Sequence, residues 1–236
     1  PHGKLAKRKV RICVGGHRAK PGLHYDPDNV YAPTLSHRSR RLLLVLASTY
    51  NLKPYNTDAV GAFLQSDSDP QRAIYVYPVP GTLPSDHKQN EWLLKLNADV
   101  YGLRTASASW IAKLKSIIEP LGWNQSRIDP SIYIHTITKS LLGVYIDDIT
   151  MYTHDYKTAE SLFKPISEQL EFTKLIPGVS SLGFIKMEHP AANAPATFLI
   201  KFVPGKFHAT KAHAGPIGSF TTICRAPGIR DGTMRP

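Results

Sequence analysis

The sequence predicts an α+β fold in which helices pack on one face of a mostly antiparallel sheet. Strand-like and helix-like segments mix without the strict alternation that a parallel sheet requires. "IDPSIYIHT" and "SLLGVYIDDITMYTHD" follow one another closely enough to be neighbouring strands. "TASASWIAKLKSIIEPLGW" is the clearest helix: Trp110, Leu114, Ile117 and Leu121 form one stripe, and Pro120 with Gly122 ends it.

The other elements follow in chain order. "VRICVGG" reads as an early strand, and "KPGLHYDPDNVYAPTLS" is a loop held open by three prolines and a glycine. Ser36 can cap a helix through "HRSRRLLLVLASTYNL", with Leu42, Val45 and Leu46 on a shared face. "KPYNTDAVGAFL" is a strand breaking into a short helical turn, and "RAIYVYPVPG" a strand ended by proline. "EWLLKLNADVYGL" continues extended. A further helix is predicted over 156–170, with Leu162, Ile166 and Leu170 aligned and Pro165 as a kink. "SSLGFIKMEHP" and "ATFLIKFVPGKF" supply two short strands, and beyond residue 206 no element is predicted.

A chain of 236 residues, 42% of them hydrophobic, can bury a sizeable core. It has no apolar run long enough to cross a bilayer and nothing resembling a signal peptide, so an intracellular location with no membrane partner is expected. Cys13 and Cys224 lack CxxC spacing, which supports neither a zinc site nor a disulfide framework. Lys and Arg number 29 against 18 Asp and Glu, a formal charge of +11 that favours a polyanion, with nucleic acid first. Residues 1–20 hold Lys4, Lys7, Arg8, Lys9, Arg11, Arg18 and Lys20 without one acid, and Arg38, Arg40 and Arg41 follow.

Asp147 and Asp148 interrupt the apolar and aromatic run "LLGVYIDDITMYT". Asp is a poor mid-strand residue, so the simplest geometry is a hairpin with both acids at its tip. A solvated turn would tolerate them. Flanking Ile residues and the repulsion of adjacent like charges point instead to a cation between them. A hard divalent ion takes oxygen ligands, and Asp58, at a strand end followed by small residues, is the best third carboxylate. Asp67, Asp69 and Asp86 lie in polar, loop-like surroundings and read as solvated.

"VYIDDI" resembles the Y-x-D-D box of reverse transcriptases. "TDAVGAFLQSDSDPQRAIYVYPVPG" is similar to the D-x-x-x-A-F-L stretch, strand and P-x-G turn of the Ty1/copia retrotransposon branch. "KVRICVGG", "LHYDPDNVYAPTLSHRSRRLLLVLAS", "LKLNADVYGLRTASASW" and "SSLGFIKME" resemble further segments of that branch in the same order, over roughly residues 4–188. The resemblance implies a right-hand polymerase whose palm is an antiparallel sheet backed by helices. Fingers would fall mainly in 1–52 and 73–98, palm mainly in 53–72 and 99–190, and a degenerate, thumb-like or irregular segment in 191–236.

By the same resemblance, Asp58, Asp147 and Asp148 are the catalytic acids. Asp58 and Asp147, with the carbonyl of Ala59, would bind two Mg²⁺ or Mn²⁺ ions, with Asp148 completing the cluster as a weaker ligand. Lys9, Arg11, Phe63, Tyr101 and Gly102 would meet the incoming deoxynucleoside triphosphate. Arg38, Arg40, Arg41, Leu182, Gly183 and Phe184 would hold an RNA or DNA template and its primer. The implied activity is RNA-directed DNA synthesis by a fragment of a Pol polyprotein, in a cytoplasmic virus-like particle or the nucleus. Gly15 stands where the family has a second finger arginine, and "TASAS" replaces its Q-S-P-R run. The alternative is a nucleic-acid-binding remnant that does not polymerise, and a third reading is a basic structural protein whose acids form a surface turn.

Overall fold

A computed structural model describes residues 11–67, 73–83 and 91–178, together with three short strands at 186–188, 199–201 and 223–225. Ser36 caps α1 (His37–Thr49) as its side chain suggests, accepting the Ser39 N–H at 3.1 Å. β1 (Lys53–Asp58) breaks at Gly61 into the short 3₁₀ turn Ala62–Gln65. β2 (Tyr75–Val76) and β3 (Trp92–Lys95) precede α2 (Ala106–Ile118). β4 (Trp123–Gln125), β5 (Ile132–His135), β6 (Leu141–Tyr145) and β7 (Asp148–Thr153) then run as a meander into α3 (Tyr156–Ser167) and β8 (Ile176–Pro177).

Six of these strands form one sheet in the order β4-β5-β6-β7-β1-β8, antiparallel throughout. A smaller sheet joins β2 and β3 to β11 (Ile223–Arg225), and β9 (Lys186–Glu188) pairs with β10 (Leu199–Lys201). β11 is a strand that the sequence pattern did not single out.

Strand alternation divides the main sheet into two unlike faces. Tyr55, Tyr133, Leu142, Val144, Ile149 and Met151 turn toward α2 and α3, where Trp110, Leu114, Ile118, Ala159 and Ile166 complete the larger core. The opposite face carries Ile132, Leu141 and Tyr152 beneath Leu43, Leu44 and Ala47 of α1. Gly143 makes that seat possible, because a Cβ there would approach Leu43 Cδ1 to 2.7 Å. Helices therefore cover both faces, not one. α1 also turns differently from its expected face: Leu42 and Val45 are exposed while Arg40, Leu43, Leu44 and Ala47 are buried. The buried stripe has i, i+3, i+4, i+7 spacing, but it begins with an arginine, and purely apolar neighbours mask it in the sequence.

Three further expectations change. Residues 11–15 are not a strand; Val14 N–H bonds Tyr101 O at 2.7 Å and the chain then turns through Gly16–Arg18. α3 ends at Ser167 rather than 170, although Leu170 N–H still bonds Ile166 O at 3.0 Å. Of the two adjacent acids, only Asp147 lies in the loop between β6 and β7; Asp148 is the first residue of β7. Among the described residues, no helix is long and apolar enough to cross a membrane.

Candidate active site

The hairpin of β6 and β7 closes through Ile146 and Asp147, with Tyr145 paired to Asp148. Ile146 has φ 55°, a left-handed conformation that a β-branched residue resists. Its carbonyl accepts a 2.7 Å hydrogen bond from Trp110 Nε1, so the fully buried tryptophan of α2 holds the turn. The Asp147 carbonyl accepts the Ala59 N–H at 2.8 Å, which ties the tip to the chain leaving β1.

Register does the rest. β1 pairs with β7 so that Asp58 stands directly opposite Asp148, and Asn56 opposite Thr150. Paired residues share a face, and period two puts all four on the face that α1 covers further along. Asp58, Asp147 and Asp148 thereby line one open cavity of about 400 Å³, with Asn56, Thr57, Tyr145, Thr173 and Ile176. The loop after α3 forms its flank: Asp58 N–H donates to Thr173 Oγ1 at 3.0 Å, and Thr173 N–H to the Asp58 carbonyl at 2.8 Å.

Burial pushes the Asp148 carboxyl up to about 6. A hydrogen bond from Asn56 and the charge of Arg40 pull it back toward ionisation, while the charges of Asp58 and Asp147 push further upward. Asp148 thus feels the charges of both other acids, the condition under which a cation would be stabilising. Among the described residues no three His, Cys, Asp or Glu side chains are already closed around one point. The donor set nonetheless suits a hard divalent ion, which commonly uses one or two carboxylates and completes its shell with water and substrate phosphate oxygens.

The other predicted residues separate into groups. Arg11, Tyr101 and Phe63 form a stack: the Arg11 guanidinium lies 5.5 Å from the Tyr101 ring centroid, and the Phe63 ring meets Tyr101 edge-on at 4.9 Å. Gly102 has φ 94°, and a Cβ on it would fall 2.1 Å from Val14 O; its open side is filled by the chain's own backbone. Gly16 faces the same crossing, with Gly102 O 1.9 Å from where its Cβ would be. Arg38 and Arg41 are exposed, but Arg40 is only 5% exposed and turned to the sheet beside Asp148 and Tyr152. It does not belong to a solvent-facing basic patch. Lys9, Leu182, Gly183 and Phe184 lie outside the described residues, as do Asp69 and Asp86, while Asp67 is exposed and paired with Lys113 at 2.8 Å.

Asn56, Thr150, Thr173 and Arg40 are site residues that the sequence pattern does not assign to the acids. Asn56 was legible in one respect: two residues before Asp58 on a strand, it had to share that acid's face. Thr173 is 115 residues from Asp58, and no local signal links them.

A family model described as "Reverse transcriptase (RNA-dependent DNA polymerase)" matches residues 2–199. The Retrovirus-related Pol polyprotein from transposon TNT 1-94 of Nicotiana tabacum is 27% identical over 183 residues, which is 76% of this chain and 13% of that protein. That from transposon RE1 of Arabidopsis thaliana is 28% identical over 155 residues, 65% of this chain and 10% of that protein. The Transposon Ty1-H Gag-Pol polyprotein of Saccharomyces cerevisiae is 24% identical over 169 residues, 71% and 9% respectively. The chain therefore spans only about a tenth of the length of the curated relatives it matches. With a family match over most of its length and Pol polyproteins of copia-type elements as its relatives, the chain belongs to the reverse transcriptase family, in the copia-type retrotransposon branch.

Proposed function

We propose that this chain carries out template-directed DNA synthesis on a primed RNA or DNA strand, taking deoxynucleoside triphosphates as substrates. The observation that carries the reading is the convergence of Asp58, Asp147 and Asp148 on one cavity, through the β1–β7 register and the β6–β7 turn. The six-stranded sheet with its acids corresponds to a palm. The β2–β3 pair, with the segment around Arg11, corresponds to fingers.

In this reading Asp58 and Asp147 would hold two Mg²⁺ or Mn²⁺ ions with help from the Ala59 carbonyl, and Asp148 would complete their negative surround. Bound ions of this kind supply Lewis-acid stabilisation for in-line attack of a primer 3′-hydroxyl on the α-phosphorus and for departing pyrophosphate. Thr173 fixes the Asp58 backbone, and the Trp110 indole fixes the turn that presents Asp147. Phe63, in contact with the Tyr101 ring, would select a deoxyribose by shape, and Arg11, over the same ring, would add positive charge for the triphosphate. Basic residues, Arg38 and Arg41 among them, neutralise the template-primer backbone.

The deciding experiment is incorporation of deoxynucleotides on a primed RNA template with and without Mg²⁺, comparing the parent with Asp147→Asn. Activity that needs the ion and drops by about 10²-fold or more in the variant is expected, the scale on which losing electrostatic stabilisation of a transition state acts. Salt-sensitive duplex binding with no incorporation by either protein would show a relic that holds nucleic acid without copying it.

A further inference from the structure

Asp148 Oδ1 accepts a 3.0 Å hydrogen bond from Asn56 Nδ2, and Asn56 Oδ1 accepts a 2.7 Å bond from Thr150 Oγ1. Asn56 and Thr150 are buried, at 5% and 4% exposure. The chain of donors has one direction. An ionised carboxylate only accepts, so the amide nitrogen must face Asp148; the amide oxygen then faces Thr150, whose hydroxyl must donate. Each side chain fixes the next.

The strands place this relay without help from any loop. Asn56 and Thr150 are a directly opposed pair, Asp58 and Asp148 the next pair along, so the Asn56 to Asp148 bond is the diagonal contact on a shared face. An amide buried at mid-strand costs stability unless its polar atoms are satisfied, and here its partners include a carboxylate of the site and a buried hydroxyl. Arg40, the one charged residue on the sheet-facing side of α1, adds a positive charge to the same neighbourhood.

We propose that Asn56, oriented by Thr150, is a positioning residue that holds the Asp148 carboxylate toward the cavity shared with Asp58 and Asp147. The inference rests on the polymerase reading above and extends it to a cavity-lining residue that acts through the carboxylate it bonds. With Oδ1 pinned by the amide, the orientation of this cavity-lining carboxylate is set before an ion arrives.

The test is a Mn²⁺ titration of the purified full chain, followed by loss of the free-ion electron paramagnetic resonance signal, with incorporation kinetics alongside. Asn56→Leu is expected to weaken Mn²⁺ binding by about 10-fold or more, the usual effect of removing a partner that orients a metal ligand. Its kcat should fall with the KM for deoxynucleotide nearly unchanged. Thr150→Val, which leaves the amide in place but free to turn, should weaken binding by a smaller factor, and Asn56→Gln, which keeps an amide donor, should restore most of it. A folded Asn56→Leu protein that binds Mn²⁺ as tightly as the parent overturns the proposal. If Asn56→Leu does not fold, unchanged Mn²⁺ affinity in Thr150→Val overturns it equally, since a purely structural role predicts a lower melting temperature and an unaltered affinity. A parent chain that binds no Mn²⁺ would instead bring down the polymerase reading on which the proposal depends.

Discussion

Asp148 is the residue on which the site's electrostatics turn. Its folded-state carboxyl, raised to about 6, stands above the usual carboxylate value of about 3.9, so the folded chain binds that proton more tightly than the unfolded chain does. Stability from this group must therefore be lost, not gained, as pH rises between about 4 and 6. In chelator-treated protein, Asp148→Asn should be more stable than the parent at about pH 7, by no more than about 2 kcal/mol once partial exposure is discounted. At about pH 4 the difference should shrink. Denaturant melts at both pH values check this, and a gap that does not change with pH would show that the carboxyl is not raised. Added Mn²⁺ should reverse the order at neutral pH, because the ion binds the parent's folded state and lacks one carboxylate in the variant.

At the scale of elements, the acid-bearing hairpin depends on a helix from the other face of the sheet. A left-handed Ile146 costs about 1–3 kcal/mol, which surrounding structure must offset. The indole N–H of Trp110, fully buried in α2, bonds the Ile146 carbonyl from below. Trp110→Phe keeps an aromatic ring in the core but removes that donor, and should cost about 1–3 kcal/mol for the unsatisfied carbonyl. Amide exchange at residues 145–149 should accelerate more than in β4 and β5. Uniform acceleration across the sheet would mean that the ring's packing, not its N–H, is what matters. The reason α2 was legible is visible in the same residues: Trp110, Leu114 and Ile117 are all buried, so period and burial coincide. In α1 they diverge, because Arg40 takes a sheet-facing position and Leu42 and Val45 face solvent.

For the whole molecule, a formal charge of +11 makes affinity for a polyanion strongly salt-dependent whatever the chemistry at the acids. α1 exposes Arg38 and Arg41 and buries Arg40. Arg38→Ala and Arg41→Ala should each weaken duplex binding and reduce the slope of log affinity against log salt by about 1 for each phosphate no longer neutralised. Arg40→Ala should leave that slope unchanged and lower the melting temperature, because it removes a buried side chain from the sheet face. Equal slope changes for all three would place Arg40 on the nucleic-acid surface after all. The crossing of Gly16 and Gly102 is likewise a property of the whole chain: two backbone segments far apart in sequence approach too closely for any Cβ.

What the amino-acid order determined by itself was everything carried by neighbours in sequence. The α+β class, the cap at Ser36, the stripe of α2, the strand that breaks after Asp58 and the pairing of β6 with β7 all rest on local periodicity and turn chemistry. Asp147 and Asp148 stood out because carboxylates inside an apolar run conflict with local propensity, and Asp58 because it ends a strand that small residues follow. Only the tertiary structure decided that Asp148 faces Asp58, that Asn56 bonds it and is itself bonded by Thr150, that Thr173 closes the flank and that Arg40 is buried beside it. Strand register and helix facing are chosen by the sum of packing over both faces of the sheet, a quantity to which residues far apart in the chain contribute equally and which no window of sequence contains.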